Sequence, residues 1–553
     1  MSDHALSVEA RIPDSLQGAV QDKLALAEQA RVAERLRAQD ATLWGPPGAP
    51  EIENRLGWLT IAERMLAELG PVEAFAEEVR SDGVADVVLL GMGGSSLAPE
   101  VLRRSFGARP DRPRLHVLDS TDAQAIRATE AAVDPDRTLF IVSSKSGGTI
   151  EPLSLLAHFW SLRSDGRSFA AITDPGSGLA ELAGERGFRR TFLGDPNIGG
   201  RYSALSPFGI VPGALIGVDV RGLLTGAPSA WDTRLSDASA GPTASASAHT
   251  AGVWLGAALS ALTRAGRDKL TFVISPSLPG LGLWLEQLVA ESTGKRSTGI
   301  LPVAEEPPGD ADAYGEDRVF AYLRDEGSRD PELDSRLGRL ADAGHPLMTI
   351  PTRGPGDLGR VFLLWELAVA IAGWGLEINP FDQPNVQQAK DATKRVLAEY
   401  EARGSLPEIA DAEDAVVRSL LLDSKPPEYV AIMAYSCPDA GLDEAAAELR
   451  AAVRQATRAT TTFGYGPRYL HSTGQFHKGG PRTGRFLQLM HDGPSDVGIP
   501  RAPYTFTTLK HAQAIGDLNT LRELGRPAER VTLAGNDPVS ALRALTAKIK
   551  EPT

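Results

Sequence analysis

The chain has 553 residues, of which 42% are hydrophobic and 23% charged. These proportions are ordinary for soluble proteins and exclude a disordered, collagen-like or coiled-coil chain, and the length suggests several domains or lobes. Fifty-seven basic residues stand against 71 acidic ones, a formal charge of −14. Bulk attraction to nucleic acid or anionic membranes is therefore excluded, and an anionic ligand needs a local cradle. The single cysteine, Cys437, excludes an internal disulfide framework and a multi-cysteine metal site.

The first residues lack a basic end followed by an apolar core, so no signal peptide is expected. Residues 15–80 carry Ala, Leu, Glu and Arg at helical spacing and predict a helical opening. Four short apolar runs follow: Val84–Leu90, Leu115–Leu118, Thr138–Val142 and Phe169–Thr173. Each is succeeded by a helical pattern, which predicts a parallel, doubly wound sheet. The small-residue stretch 237–250 reads as a linker or an Ala-rich helix start. Lys269–Ile274 opens a second α/β series, and the acidic, Pro/Gly-rich stretch 303–317 predicts an exposed loop. The apolar run Val361–Gly375 is too short to span a bilayer and carries Glu366, so it reads as a buried helix. A helix is expected over about 387–403. The remainder alternates again, with YVAIMAY, a helix over 442–458, RFLQLMH, ERVTLAG and a terminal helix.

Two strand–turn–helix junctions carry the clearest chemical signal. Gly91, Gly93 and Gly94 precede Ser95 and Ser96 in the first. In the second, Ser143, Ser144, Lys145, Ser146, Gly147, Gly148 and Thr149 open a helix. Glycines let backbone N–H groups converge, hydroxyls add donors, and a helix N-terminus favours an anion. Neither junction meets the dinucleotide or Walker pattern, so the pair points to a monophosphate. Downstream, Arg201 follows the Gly199–Gly200 turn, and Gln287 and Glu291 lie four residues apart on one helix face. A carboxylate at a helix end facing a cleft suits a general base. Lys390 stands a turn into its helix. The Gly-rich stretch 464–484 reads as a loop in which His471 or His477 titrates near neutral pH.

Taken together, MGGSS (92–96), SSKSGGT (143–149), GGRYSALSPFG (199–209), QxxxESTGK (287–295), INPFDQPNVxxxK (378–390) and LHSTGQ (470–475) resemble the glucose-6-phosphate isomerase family. That family is built from two sugar-isomerase (SIS-type) α/β domains. The chain looks closest to the isomerase half of fused transaldolase–isomerase proteins. Too few residues precede the first strand for a transaldolase barrel of roughly 250, so that half is expected to be absent.

The resemblance implies interconversion of glucose 6-phosphate and fructose 6-phosphate through a cis-enediol(ate), with no metal and no cofactor. It implies that Gly94, Ser95, Ser144, Lys145, Ser146 and Thr149 hold the phosphate and that Gln287 holds a sugar hydroxyl. Glu291 would be the base, Arg201 would stabilise the developing charge, and Lys390 and His471 would handle ring opening. A cytoplasmic homodimer is expected, with one histidine possible from across the interface and no nucleic-acid or membrane partner. The alternatives are a non-catalytic sugar-phosphate-binding regulator and an isomerase that also takes mannose 6-phosphate.

Three features depart from the family pattern. Thr293 stands where Asn is common, and Gly147 and Gly148 stand where hydroxyls are common. LHSTGQ follows Lys390 instead of preceding it, so the chain must return to the same cleft, and His477 stays a competitor of His471. The expected division is a helical segment 1–55, one SIS-type domain over 56–236, a second over 237–425, and a C-terminal α/β return over 426–553 completing the second.

Overall fold

The computed structural model describes residues 6–236 and 250–550. Its strands in chain order are β1 (Ser7–Arg11), β2 (Asp86–Leu90), β3 (Arg114–Leu118), β4 (Thr138–Ser143), β5 (Phe169–Thr173) and β6 (Arg190–Leu193). They continue as β7 (Arg234–Leu235), β8 (Lys269–Ile274), β9 (Leu301–Val303), β10 (Arg318–Asp325), β11 (Leu347–Thr352), β12 (Tyr429–Tyr435), β13 (Thr460–Tyr465), β14 (Gly484–Met490) and β15 (Ala528–Thr532).

The first sheet has the order β3-β2-β4-β5-β6 and is parallel throughout. Its central strands β2, β4 and β5 are buried on both faces, as a sheet covered by helices on each side requires. Because side chains alternate, Val87, Leu89, Leu139 and Ile141 join a core shared with the N-terminal helices, whereas Val88, Leu90, Phe140 and Val142 join another. Phe506, Leu509 and Ile515 of the Phe506–Glu523 helix pack into that second core, so the C-terminal part of the chain covers one face of the first sheet. The strand after β2 goes to one side and β4 to the other. The crevice between the carboxyl ends of β2 and β4 is thus the topological switch point where such sheets bind ligands. Both glycine-rich junctions lie there.

The second sheet has the order β7-β1-β11-β10-β8-β9, with β1 antiparallel to β11. The N-terminal segment is therefore not wholly helical. It opens with a strand of the second sheet, and the Asp14–Gln29 helix packs on the Ala251–Arg264 helix of the same lobe. Periodicity misses β1 because a strand of only five residues carries little pattern. The small-residue stretch 237–250 lies outside the described residues except for Thr250, whose hydroxyl accepts from Val253 N at 3.5 Å and starts the 251–264 helix.

The apolar run became the Leu358–Leu376 helix, which is longer than expected. It is buried on nearly all sides against the 251–264 helix. The stretch 303–317 lacks long elements but is not simply exposed. Glu306, Tyr314 and Asp317 are buried, and Glu306 accepts from both Arg318 nitrogens at 2.8 and 3.1 Å. Its acidic composition suggests solvent, whereas Arg318, the first residue of β10, takes Glu306 inside.

Residues 426–553 do not add strands to the second sheet. Strands β12–β15 form a four-stranded parallel sheet of their own, in the order β13-β12-β14-β15. Tyr429, Met433 and Phe486 from this sheet share a core with Ala290, Leu301 and Val303 of the second lobe. The third sheet thus stands beside the helix that carries Glu291.

The 251–264 and 358–376 helices meet at Gly256, where a Cβ would lie 2.4 Å from Ala368 O and 2.9 Å from Ala372 N. Backbone cannot yield as a side-chain tip does. Gly256→Ala should therefore destabilise the fold by about 1–3 kcal/mol in urea unfolding, while an alanine at Gly18, with nothing within 4 Å, should not destabilise it.

Candidate active site

The first glycine turn sits where three later segments converge. Gly93 has φ +56°, and a Cβ there would meet Gln287 Nε2 and His471 O, both at 2.9 Å. A Cβ on Gly94 would lie 2.2 Å from Gly200 O. Bare backbone at 93–94 is what allows the Arg201 turn, the base helix Leu281–Thr293 and the LHSTGQ segment to close on one point. Ser95 is buried within this turn.

Arg201 is 1% exposed on a short 3₁₀ turn. Its Nε donates to Ser292 Oγ at 2.8 Å, Nη1 to Gln383 Oε1 at 2.6 Å, and Nη2 to Pro380 O at 2.6 Å. Nη1 lies 3.6 Å from Glu291 Oε2. Gln287 Nε2 donates to Glu291 Oε2 at 3.2 Å and to His471 O at 2.8 Å. Gln287 Oε1 is buried with no hydrogen-bond partner among the described residues. Glu291 is 6% exposed. Burial raises its carboxyl above the usual carboxylate range, and the charges of Arg201 and His471 restrain that rise.

A cavity of about 260 Å³ adjoins this cluster and is lined by Gly148, Thr149, Glu151, Lys390, His471 and Gln513, among others. Thr149 heads the Ile150–Leu162 helix without capping it by its side chain. The positive end of that helix is thus open to an anion. Ser144 Oγ donates to Thr149 Oγ1 at 3.2 Å from behind, and Ser146 is exposed on the turn, its Oγ accepting from Gly148 N at 3.4 Å. Lys390 is exposed on the Pro384–Arg403 helix. Glu291, Gln287 and Arg201 stand behind the cavity wall and reach it through His471. The expectation of a base facing an open cleft is corrected to this extent.

Two expected roles change. Lys145 does not offer a free charge to the second turn, because its Nζ donates to both Asp174 oxygens at 2.7 Å and to Asp195 O at 2.8 Å. Asp174 follows the neighbouring strand β5, and a half-buried ammonium pairs with the nearest carboxylate. His477 is 3% exposed, packs between Tyr429 and Phe486, and has Tyr429 Oη 3.0 Å from its Nδ1. Burial and the Lys478 and Arg526 charges push its imidazole well below the usual range. It belongs to the third lobe's core, not to the cavity. The stretch 464–484 is also no simple loop, for it holds a 3₁₀ turn Arg468–His471 and a short helix Gly474–Gly479.

The late LHSTGQ segment reaches the cleft within the same chain. Arg468 donates to both oxygens of Asp119 at 2.8 and 2.7 Å, beyond the carboxyl end of β3. Gln475 Nε2 donates to Gly294 O and Asn385 Oδ1, both at 2.9 Å, and Asn385 N returns a bond to Gln475 Oε1 at 2.9 Å. Three motifs far apart in sequence are thereby bonded to each other.

Sequence reasoning missed Glu151 and Gln513. Glu151 Oε1 lies 3.1 Å from His471 Nε2 and accepts from Gln513 Nε2 at 2.7 Å. Thr121 Oγ1 donates to Gln513 Oε1 at 2.8 Å. Burial alone would raise the Glu151 carboxyl, but the charge and hydrogen bond of His471, with Lys390, carry it below the usual range. The signal for Glu151 was its place two residues after Thr149 at a helix start. Gln513 had none. Lys295 stands in the QxxxESTGK motif, where spacing gives it no role of its own. Its Nζ donates to Asn379 O at 2.7 Å and to Asp382 O and Oδ1 at 2.6 Å. Burial and nearby Arg201 push its ammonium down to about 7, against the pull of Asp382.

The phosphoglucose isomerase family model matches residues 70–306. A glucose-6-phosphate isomerase of Rubrobacter xylanophilus is 30% identical over 425 residues, covering 66% of this chain and 93% of the relative. The glucose-6-phosphate isomerase of Thermus thermophilus is 29% identical over 422 residues, covering 68% and 96%. Among solved structures, a hypothetical protein of Thermus thermophilus matches at TM-score 0.56 and 26% identity, covering 70% of this chain and all of that one. A glucose-6-phosphate isomerase of Chlamydia trachomatis shares the fold at TM-score 0.52 and 19% identity, covering 71% and 87%. By the match to the Rubrobacter relative, 30% identical over 93% of that protein's length, the chain belongs to the glucose-6-phosphate isomerase family.

Proposed function

We propose that this chain interconverts glucose 6-phosphate and fructose 6-phosphate. The observation that carries the reading is a raised carboxyl, Glu291, held between Gln287 and Arg201 beside a cavity headed by an open helix N-terminus. The phosphate binds at the 144–149 turn, where Thr149, backbone N–H groups and the helix dipole attract it, with Ser144 and Ser146 supporting. Gly94 and Ser95 shape the floor of this site. Lys145, paired with Asp174, positions the turn and does not itself reach the phosphate. Binding energy from that remote group holds the reacting carbons in place.

His471, oriented by Glu151 and through it by Gln513, works with Lys390 to move the proton between the ring oxygen and the C1 hydroxyl as the ring opens. The open-chain sugar replaces the Gln287–Glu291 contact, and the partnerless Gln287 Oε1 accepts from a sugar hydroxyl. Glu291 then takes the C2 proton. The electron pair left behind forms the C1–C2 double bond as the C1 carbonyl π pair moves onto O1, giving a cis-enediolate. A proton then passes from the C2 hydroxyl to O1, the C2 carbonyl forms, and Glu291 returns its proton to C1. Arg201 faces the negative charge that builds during this transfer, an electrostatic contribution of about 2–4 kcal/mol. The family resemblance also supports a cytoplasmic homodimer.

A coupled assay offering glucose 6-phosphate, mannose 6-phosphate and fructose 6-phosphate tests the reading. Conversion of the first and third is expected without added metal, and failure to convert any would favour a binding-only protein. Glu291→Gln should lower kcat about 10²–10⁴-fold while fructose 6-phosphate still binds in calorimetry. Near wild-type turnover would remove Glu291 from its role.

Glu291 works as a base only when ionised, so kcat/KM should rise with pH through an acid limb above the ordinary glutamate range. Arg201 favours the ionised form. Arg201→Gln should therefore move the limb to higher pH as well as lowering the rate. A limb that stays in place would uncouple the two residues.

A further inference from the structure

A second and larger cavity, about 510 Å³, lies where the Leu97–Phe106 helix, the base helix and the third lobe meet. That volume is within the range of small-molecule sites. Glu286 of the base helix lines it and is 7% exposed. One carboxyl oxygen accepts a long bond from Ala304 N at 3.4 Å, and the other has no hydrogen bond among the described residues. Burial pushes this carboxyl up to about 8, so at neutral pH it is a neutral O–H donor.

At another part of the wall, Arg103 and Arg104 share a single carboxylate. Glu100 takes Arg103 at 2.7 and 2.8 Å, which leaves Arg104 4.0 Å away with no hydrogen bond among the described residues. Arg468 joins them on this wall and uses Nε and one Nη2 bond on Asp119, leaving Nη1. The acids of the wall are mostly engaged elsewhere. Asp439 accepts from Gly441 N and Leu442 N at the start of its helix, Asp443 accepts from Tyr465 Oη at 2.7 Å, and Glu444 lies 3.7 Å from Arg543. Glu305 is exposed.

We infer that this cavity is a second ligand site, taking a sugar-sized hydroxylated oxyanion, a carboxylate or a phosphate, as an effector of the isomerase. The oxyanion meets Arg104 and the free edges of Arg103 and Arg468, whose forks match such groups. Its hydroxyls meet Glu286, Thr473 and Ser472.

The coupling follows from a shared wall. Ser472 and Thr473 face this cavity, while Leu470 and His471 of the same short segment face the catalytic one. Glu286 is adjacent to Gln287. A ligand that orders 472–473 therefore also biases His471 and the His471 carbonyl that Gln287 holds. This coupling rests on the isomerase reading, whereas the binding itself does not.

Calorimetry on the full chain with gluconate, glycerol 3-phosphate and sorbitol tests it. Saturable binding of gluconate or glycerol 3-phosphate is expected, the one that binds deciding between carboxylate and phosphate, with sorbitol inert. Saturating fructose 6-phosphate should not displace the ligand. Arg104→Leu should weaken binding about tenfold or more and leave kcat unchanged without ligand. Glu286→Gln, which keeps a neutral donor, should retain binding, and Glu286→Leu should lose it. The occupied protein should show KM or kcat altered about fivefold. No binding by either anion, full displacement by fructose 6-phosphate, or indifference to Arg104→Leu overturns the site. Arg104-dependent binding without a kinetic change overturns the coupling alone. Such binding in a protein that converts none of the hexose phosphates would sink the isomerase reading and leave the site standing.

Discussion

The absence of side chains at Gly93 and Gly94 is the constraint on which the site depends. A Cβ at Gly94 would strike the Gly200 carbonyl at 2.2 Å, and one at Gly93 would strike Gln287 and His471. The turn after β2 is therefore a surface of contact for three other segments. Through it the first lobe meets the Arg201 turn, the second lobe's base helix and the third lobe's histidine segment. The sheet contributes the location, since β2 and β4 flank its switch point. The missing Cβ atoms allow the approach.

Around that contact, two buried cations are held mainly by carbonyl oxygens instead of carboxylates. Arg201 donates to Pro380 O and Asp382 O, and Lys295 donates to Asn379 O and Asp382 O. The INPFDQ loop is thus a cradle for both. Charges taken out of water need compensation of this kind. Neutral carbonyls provide it without cancelling the positive field that Glu291 experiences. The base is left with opposed influences, burial raising its carboxyl and Arg201 lowering it. Such a balance brings a carboxylate toward the range useful for proton transfer near neutral pH.

The third sheet solves a problem of chain order. LHSTGQ comes after Lys390, so it returns to the cleft on a separate four-stranded unit whose core merges with Ala290, Leu301 and Val303 beside the base helix. Arg468 on Asp119 and Gln475 on Gly294 pin the segment at both ends. The same placement creates the larger cavity, which borders the third lobe and has the histidine segment as a wall.

Strands β5, β8 and β12 are legible in the sequence to the residue, because central strands covered on both faces read as uninterrupted apolar runs. Glu291 and Gln287 are legible because four-residue spacing puts them on one helix face, and the glycine–hydroxyl turns because few other tasks need that composition. The fate of Lys145 is not legible, since its partner Asp174 lies on the next strand and only the folded sheet sets the distance. Nor is Gln513, whose value comes from a hydrogen bond to Glu151 across 362 residues of chain, or the burial that separates His477 from His471. Local periodicity and turn chemistry alone determine the α/β character, the phosphate-type turns and the base helix. Which cations are free, which histidine faces the cavity and where the last 120-odd residues go are decided by tertiary contacts. Desolvation and pairing depend on neighbours in space, and sequence spacing carries no record of them.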